Sequence, residues 1–195
     1  VSLAYRKLRD LKMCANSRLL IIGAGETNKN IAQYLKKHKY SNFSVFNRTL
    51  ENAEILAKEL NGKAYPLSEL ENFNQGFDVI ITCTGATEPI VTEEIYKKLL
   101  NGETDKKVIV DLAIPNDIAP EVVKNFPMHY IEVESLKETA RKNIQERYDE
   151  LVNAEHIIEQ NIKDFESVLR QRKVEIAMSC VPEKIKEIKH TAING

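Results

Sequence analysis

A doubly wound, parallel α/β sheet with strand order 3-2-1-4-5-6, followed by a long helical segment, is the fold this sequence predicts. Three observations predict it. Short, wholly apolar runs alternate with helix-patterned stretches from about residue 17 to residue 134. A glycine-rich turn directly follows the first of those runs, and from Ser135 to Pro182 neither Gly nor Pro interrupts the chain.

Taken in order, Leu3 to Met13 reads as a leading helix within residues 1–16, with Leu3, Leu8 and Leu11 among basic residues. Leu19–Ile22 is apolar at every position, as a strand buried on both faces must be. A helix over Ile31–Leu35 and a second strand at Phe43–Phe46 follow. Leu50–Leu60 is helical, with Ala53, Leu56, Ala57 and Leu60 on one face. Ala64-Tyr65 marks a short third strand, and Ser68-Glu69-Leu70-Glu71 matches a capping box that starts a brief helix. Val79–Ile81, Val108–Val110 and Tyr130-Ile131 supply strands four to six. A helix over Glu93–Leu100 and a weaker segment over Ile118–Asn125 lie between them. Two successive three-strand halves give the strand order.

Beyond residue 134 the alternation stops. Ser135-Leu136-Lys137-Glu138 is a second capping box, opening a helix expected to reach about Lys173, with a tail of undefined form to Gly195. Apolar residues from Leu136 to Leu169 recur in nine steps over 33 residues, a mean near 3.67 that follows a straight α-helix. The stripe carries Ile144, Tyr148, Leu151, Ile158, Ile162, Phe165 and Leu169. A nucleotide domain at one end cannot cover all of it, so burial against a second copy, as a homodimer, is expected.

Lys and Arg number 28 against 29 Asp and Glu, a balance that does not ask for a polyanion-gripping surface. Cys14, Cys83 and Cys180 are odd in number and widely spaced, which fits a reducing cytoplasmic setting rather than a disulfide framework or a zinc site. No run is long and apolar enough to span a membrane, and no signal peptide opens the chain. Because it starts with Val1 rather than Met, the chain reads as a piece of something longer.

Gly23-Ala24-Gly25-Glu26-Thr27-Asn28 stands between strand one and its helix, the context a dinucleotide-binding turn requires. Gly23 allows the tight turn, and Gly25 lets backbone approach a pyrophosphate at the helix N-terminus. Asn28 occupies the third glycine position, where its side chain should loosen helix–strand packing or contact the ligand. At the end of strand two, Asn47-Arg48-Thr49 replaces the acid that would accept from a ribose 2′-hydroxyl. A guanidinium suits a 2′-phosphate, so the expected cofactor is NADPH rather than NADH. Thr49 can add a hydroxyl and cap the next helix; in the alternative, Asn47 and Thr49 only shape and cap the turn and Arg48 is solvated.

Thr84-Gly85-Ala86 closes strand four at the ligand-bearing edge, where its backbone would face the nicotinamide ribose. Cys83 reads as a small buried residue rather than a nucleophile. Asp117 is assigned a helix cap and no chemistry. The four histidines show no metal-ligand spacing, and no metal ligand or catalytic residue is assigned.

Gly23-Ala24-Gly25-Glu26, Asn47-Arg48-Thr49 with Ala53, Thr84-Gly85-Ala86 with Pro89-Ile90, and Asp111-Leu112-Ala113-Ile114-Pro115 with Asp117-Ile118 resemble the glutamyl-tRNA reductases. The long helix after Ser135 resembles that family's spinal helix. Asn28 and Asn116 depart from its pattern, which has a small residue at the first position and often arginine at the second. The resemblance implies a Rossmann-type NADPH-binding domain over 17–134 and a partial dimerisation domain over 135–195. It implies an enzyme in which a cysteine of an N-terminal domain forms a thioester with the glutamyl group, and NADPH reduces that to glutamate-1-semialdehyde for tetrapyrrole (porphyrin) synthesis. None of the three cysteines lies in a segment matching that domain, so this chain alone is expected to be inactive. In the full-length protein the implied partners are glutamyl-tRNA and the downstream aminomutase. The rival readings are a shikimate-dehydrogenase-like NADP oxidoreductase fragment, which would return to its substrate domain after strand six, and a non-catalytic NADPH-binding dimerisation module.

Overall fold

The computed structural model describes residues 2–194, so the outer bounds of the expected domains, Val1 and Gly195, lie outside the described residues. It comprises two compact units, residues 1–141 and 142–195. In the first, six parallel strands run in the order β3-β2-β1-β4-β5-β6: β1 Leu19–Ile22, β2 Phe43–Asn47, β3 Lys63–Pro66, β4 Val79–Thr82, β5 Lys107–Asp111 and β6 Met128–Glu132. Helices α1 Ser2–Asp10, α2 Glu26–Lys37, α3 Leu50–Leu60, α4 Glu93–Leu100 and α5 Pro120–Asn125 accompany them. The expected strand order is the observed one.

Alternating side chains of the central strands feed two cores. Leu19, Ile21, Val45, Val79, Ile81, Val108 and Val110 pack with α1, α2 and α3. Leu20, Ile22, Phe46, Ile80 and Ile109 pack with Phe77, Tyr96, Leu99 and Val122 on the other face. This is why the strands are apolar at successive positions: each residue is inward-facing on one side or the other. β1 pairs with both β2 and β4, so the chain reverses its winding direction there and leaves a crevice beyond the carboxyl ends of the strands.

Both capping boxes take other forms. Residues Leu67–Asn72 make a 3-10 turn with Pro66 at its N-cap and no side-chain cap bond. The long helix α6 runs Val133–Met178, so Ser135 lies inside its first turn rather than at its cap, and the Ser135 hydroxyl donates back to Glu132 O at 2.8 Å. At 46 residues, α6 is about 69 Å long at ~1.5 Å per residue, and it buries none of its described residues. The tail expected to be undefined is a further helix, α7 Val181–Asn194, with Pro182 in its first turn, where a missing N–H costs nothing.

At the opposite, amino-terminal edge of the sheet, an ionic network ties β1, β4 and β5 together. Arg18 bonds Asp78 and Glu103, each within 2.7 Å, and the fully buried Lys107 ammonium is met by Glu103 and by Asp105 at 2.9 Å. A buried ammonium is tolerated only when so paired. The oxygens of Asp78, Glu103 and Asp105 converge closely, but on the Lys107 side chain.

The hydrogen bond from Arg18, with help from Lys107, holds the Glu103 carboxyl down at about 2. A depressed folded-state pKa contributes stability that is present above the ordinary value of 4.5 and lost as pH falls towards about 2. Urea unfolding should therefore show stability falling through that window, with a shallower fall for Glu103→Gln. Identical pH slopes for the two proteins would contradict the assignment.

Candidate functional site

A cleft of about 470 Å³ opens at the carboxyl edge of the sheet, at the β1/β4 reversal. Gly23, Ala24, Gly25, Asn47, Arg48, Thr49, Thr84, Gly85 and Ala86 line it, together with Leu67, Cys83 and Ile90. Nine of the expected cofactor-binding residues are thus brought together from three separate loops. Glu26, Thr27 and Asn28 are not among the lining residues.

The two glycines of the turn differ in why they are glycine. Gly23 has φ +96°, and a Cβ there would lie 2.6 Å from the Cys83 carbonyl oxygen; it is required by the protein's own chain crossing at the end of β4. Nothing lies within 4 Å of a Cβ built on Gly25, which faces open cleft. Gly25 is also the N-cap of α2 and provides no side-chain cap, so the first-turn N–H groups are left for an anion.

Asn28 turns inward. It is fully buried, and its amide nitrogen donates to Ile22 O and Gly23 O, both at 2.8 Å. Rather than loosening the packing of α2 on β1, it ties them together by satisfying two carbonyls at the strand end. Glu26 accepts from Asn30 along the helix, at 3.4 Å.

At the end of β2, Asn47 does more than shape its own turn. Its Oδ1 accepts from Ala24 N at 3.1 Å and its Nδ2 donates to Thr49 O at 2.8 Å, stapling the glycine turn to the β2 loop. Thr49 is the N-cap of α3 by position, yet its side chain makes no cap bond. Arg48 is exposed, lines the cleft and takes part in none of the ion pairs among the described residues.

Cys83 is half-buried rather than buried and also lines the cleft. Its thiol donates to Leu112 O at 3.4 Å, and burial pushes its pKa up, so the protonated form dominates at neutral pH. That state suits a packing residue, not a nucleophile.

Asp117 does not cap the helix that follows it. Ala119, not Asp117, is the N-cap of α5. The Asp117 carboxylate is fully buried and accepts from Thr82 Oγ1, from Thr84 N at 3.0 Å and from Thr84 Oγ1 at 2.6 Å. Asp111, also buried, accepts from Ala113 N at 3.1 Å, Ile118 N at 3.0 Å and Tyr130 OH at 3.2 Å; burial raises its pKa. Asn116 donates to Tyr130 OH and to Glu132. A loop containing the cis Ile114-Pro115 peptide is thereby held against the loop after β4. These bonds join residues up to 35 positions apart, and nothing in the local pattern signals them.

Comparison with known proteins follows the same outline. Residues 2–139 match the family model described as shikimate / quinate 5-dehydrogenase. The chain is 31% identical over 194 residues, 99% of its length, to a glutamyl-tRNA reductase of Marinomonas sp. (strain MWYL1), and it spans 45% of that relative. It superposes on the glutamyl-tRNA reductase of Methanopyrus kandleri with a TM-score of 0.66 and 26% identity, over 97% of this chain and 49% of the other. The nucleotide-binding domain of the Thermoplasma volcanium glutamyl-tRNA reductase shares the fold, with a TM-score of 0.54 and 24% identity over 75% of this chain and 94% of the other.

The two glycines should respond differently to a methyl group. Gly23→Ala should cost on the order of 3 kcal/mol, from strain at positive φ and overlap with the Cys83 carbonyl. Gly25→Ala should cost less than about 1 kcal/mol, because its Cβ enters empty space. Thermal unfolding of both variants checks this, and equal losses would refute the distinction.

Proposed function

The chain belongs to the shikimate / quinate 5-dehydrogenase family, a family of oxidoreductases, and on that premise we propose that it is the NADPH-binding and dimerisation portion of a glutamyl-tRNA reductase. The observation that carries this reading is where the similarity continues. The family model ends at residue 139, but the likeness to glutamyl-tRNA reductases runs on along α6, over 97–99% of the chain. A shikimate-dehydrogenase fragment would return to a substrate domain after β6, whereas here β6 passes directly into a 46-residue helix. The reaction proposed for the whole protein is reduction of glutamyl-tRNA to glutamate-1-semialdehyde, feeding tetrapyrrole synthesis.

The residues of the cleft fit the cofactor. The N-terminus of α2 offers backbone N–H groups to the pyrophosphate, and Gly25 leaves room for it. Arg48 and the Thr49 hydroxyl flank the place of the adenosine ribose, where an arginine favours a 2′-phosphate and an acid would repel it. Thr84, Gly85 and Ala86, across β1 from Arg48, would flank the nicotinamide half. When bound, the cofactor supplies a hydride. Burial pushes the Cys83 pKa up, which disfavours a thiolate in this cleft. Among the described residues no helix is long and apolar enough to cross a membrane.

Two measurements test the proposal. NADPH should bind more tightly than NADH in a fluorescence titration, and Arg48→Glu should remove about 1–3 kcal/mol of NADPH binding. Equal affinities for the two cofactors would refute it. For assembly, Ile144, Tyr148, Leu151, Ile158, Ile162, Phe165 and Leu169 of α6 are all exposed in the single chain, a continuous apolar stripe that a second copy would cover. Light scattering should show association rising with concentration, and Phe165→Glu should dissociate the dimer while NADPH binding persists. A strict monomer at high micromolar concentration would count against it.

A further inference from the structure

We propose that Asp117 is a positioning residue for the nicotinamide half of the cofactor, acting through Thr84 on the Thr84-Gly85-Ala86 loop. The proposal rests on the cofactor reading above. Its basis is a chain of hydrogen bonds with a fixed direction. The Thr84 backbone N–H can only donate, so the carboxylate oxygen it meets is an acceptor. The Asp117 carboxylate is fully buried and takes part in no ion pair among the described residues; its bonds come from Thr82 Oγ1, Thr84 N and Thr84 Oγ1. Because the single hydroxyl hydrogen of Thr84 is committed to Asp117, at 2.6 Å, the Thr84 oxygen presents its lone pairs to the loop, and it accepts from Ala86 N at 3.2 Å. The relay Asp117–Thr84–Ala86 thus sets the course of three residues that line the cleft.

The backbone of Asp117 is held as well. Asp117 O accepts from Ile90 N at 2.8 Å and from Val91 N at 2.9 Å, and Ile118 bridges Val91 in parallel register. Both ends of the 83–91 loop are therefore anchored to residue 117, one through its side chain and one through its backbone. A buried Asp without an ion-pair partner among the described residues is costly to stability and is not needed to cap α5, which begins after Ala119. What it secures is the shape of a loop on the β4 side of the β1/β4 reversal, opposite Arg48.

The consequence is a split between the two halves of the ligand. Asp117→Asn replaces one acceptor by a donor, so the Thr84 hydroxyl hydrogen loses the carboxylate oxygen that fixes it and is free to rotate towards the loop, against the N–H that Ala86 directs at the same oxygen. Isothermal titration of the 195-residue chain with NADPH and with 2′-phospho-ADP-ribose, which lacks the nicotinamide half, reads this directly. The variant should bind NADPH about tenfold more weakly and 2′-phospho-ADP-ribose within about twofold of wild type. If Asp117→Asn does not fold by circular dichroism, Thr84→Val breaks the same relay and should show the same split, while Thr84→Ser should restore wild-type binding. A folded variant that loses both ligands equally, or neither, overturns the positioning role. Failure of the wild-type chain to bind NADPH overturns the cofactor reading, and this proposal with it.

Discussion

The turn after β1 crosses the end of β4 with no room for a side chain. Gly23 holds φ +96° with the Cys83 carbonyl 2.6 Å from where a Cβ would sit, while its N–H donates to Phe46 O at 2.7 Å. That one crossing fixes the spacing of β2, β1 and β4 at their carboxyl ends, and the cleft exists because those ends are in register there. Asn28 from α2 then fastens the helix to the Ile22 and Gly23 carbonyls, and Asn47 fastens the turn to the β2 loop. The N-terminus of α2 is therefore held at the cleft by contacts that are internal to the protein.

Polar side chains divide sharply between those spent on the scaffold and those left to the cleft. Asn28, Asp111 and Asp117 are fully buried and bond loop backbone or the hydroxyls that shape it. Arg48, by contrast, is exposed at the cleft without an ion-pair partner among the described residues. At the far edge of the sheet, Arg18 and Lys107 are consumed by Asp78, Glu103 and Asp105. The division follows from desolvation: a charge buried in the scaffold needs its partners inside the protein, whereas a group at the cleft can keep water until a ligand replaces it.

The second unit obeys a different logic. α6 presents an apolar stripe with a period near that of a straight helix, and none of its described residues is buried. Along its described residues α6 gains little from burial within the chain, and helix propensity alone is a weak support. Its sequence is rich in strong helix formers and in oppositely charged pairs such as Lys142–Glu146 and Arg170–Glu166, each worth little singly.

How much was legible in the sequence depended on range. Apolar runs at β1, β4 and β5, the glycine turn at 23–25, the Asn47-Arg48-Thr49 sequence and the unbroken helix after residue 134 are statements about neighbours, and local pattern determined them together with the strand order. It also placed Gly23, Arg48 and Thr84 at one site, because parallel strands bring their carboxyl ends to one edge. The roles of Asn28, Asn47 and Asp117 were decided only in three dimensions. Each could cap, bind or pack according to its local sequence; what selected among these was a partner 23 or 33 residues away for Asn47 and Asp117, and for Asn28 the inward rotation of α2. The two capping-box motifs failed for the same reason: Pro66 set the start of one turn, and β6 ran without a break into α6, so neither serine was needed at a cap. Short polar side chains have several local partners within reach, and only the folded chain determines which of those is buried and which is left to water.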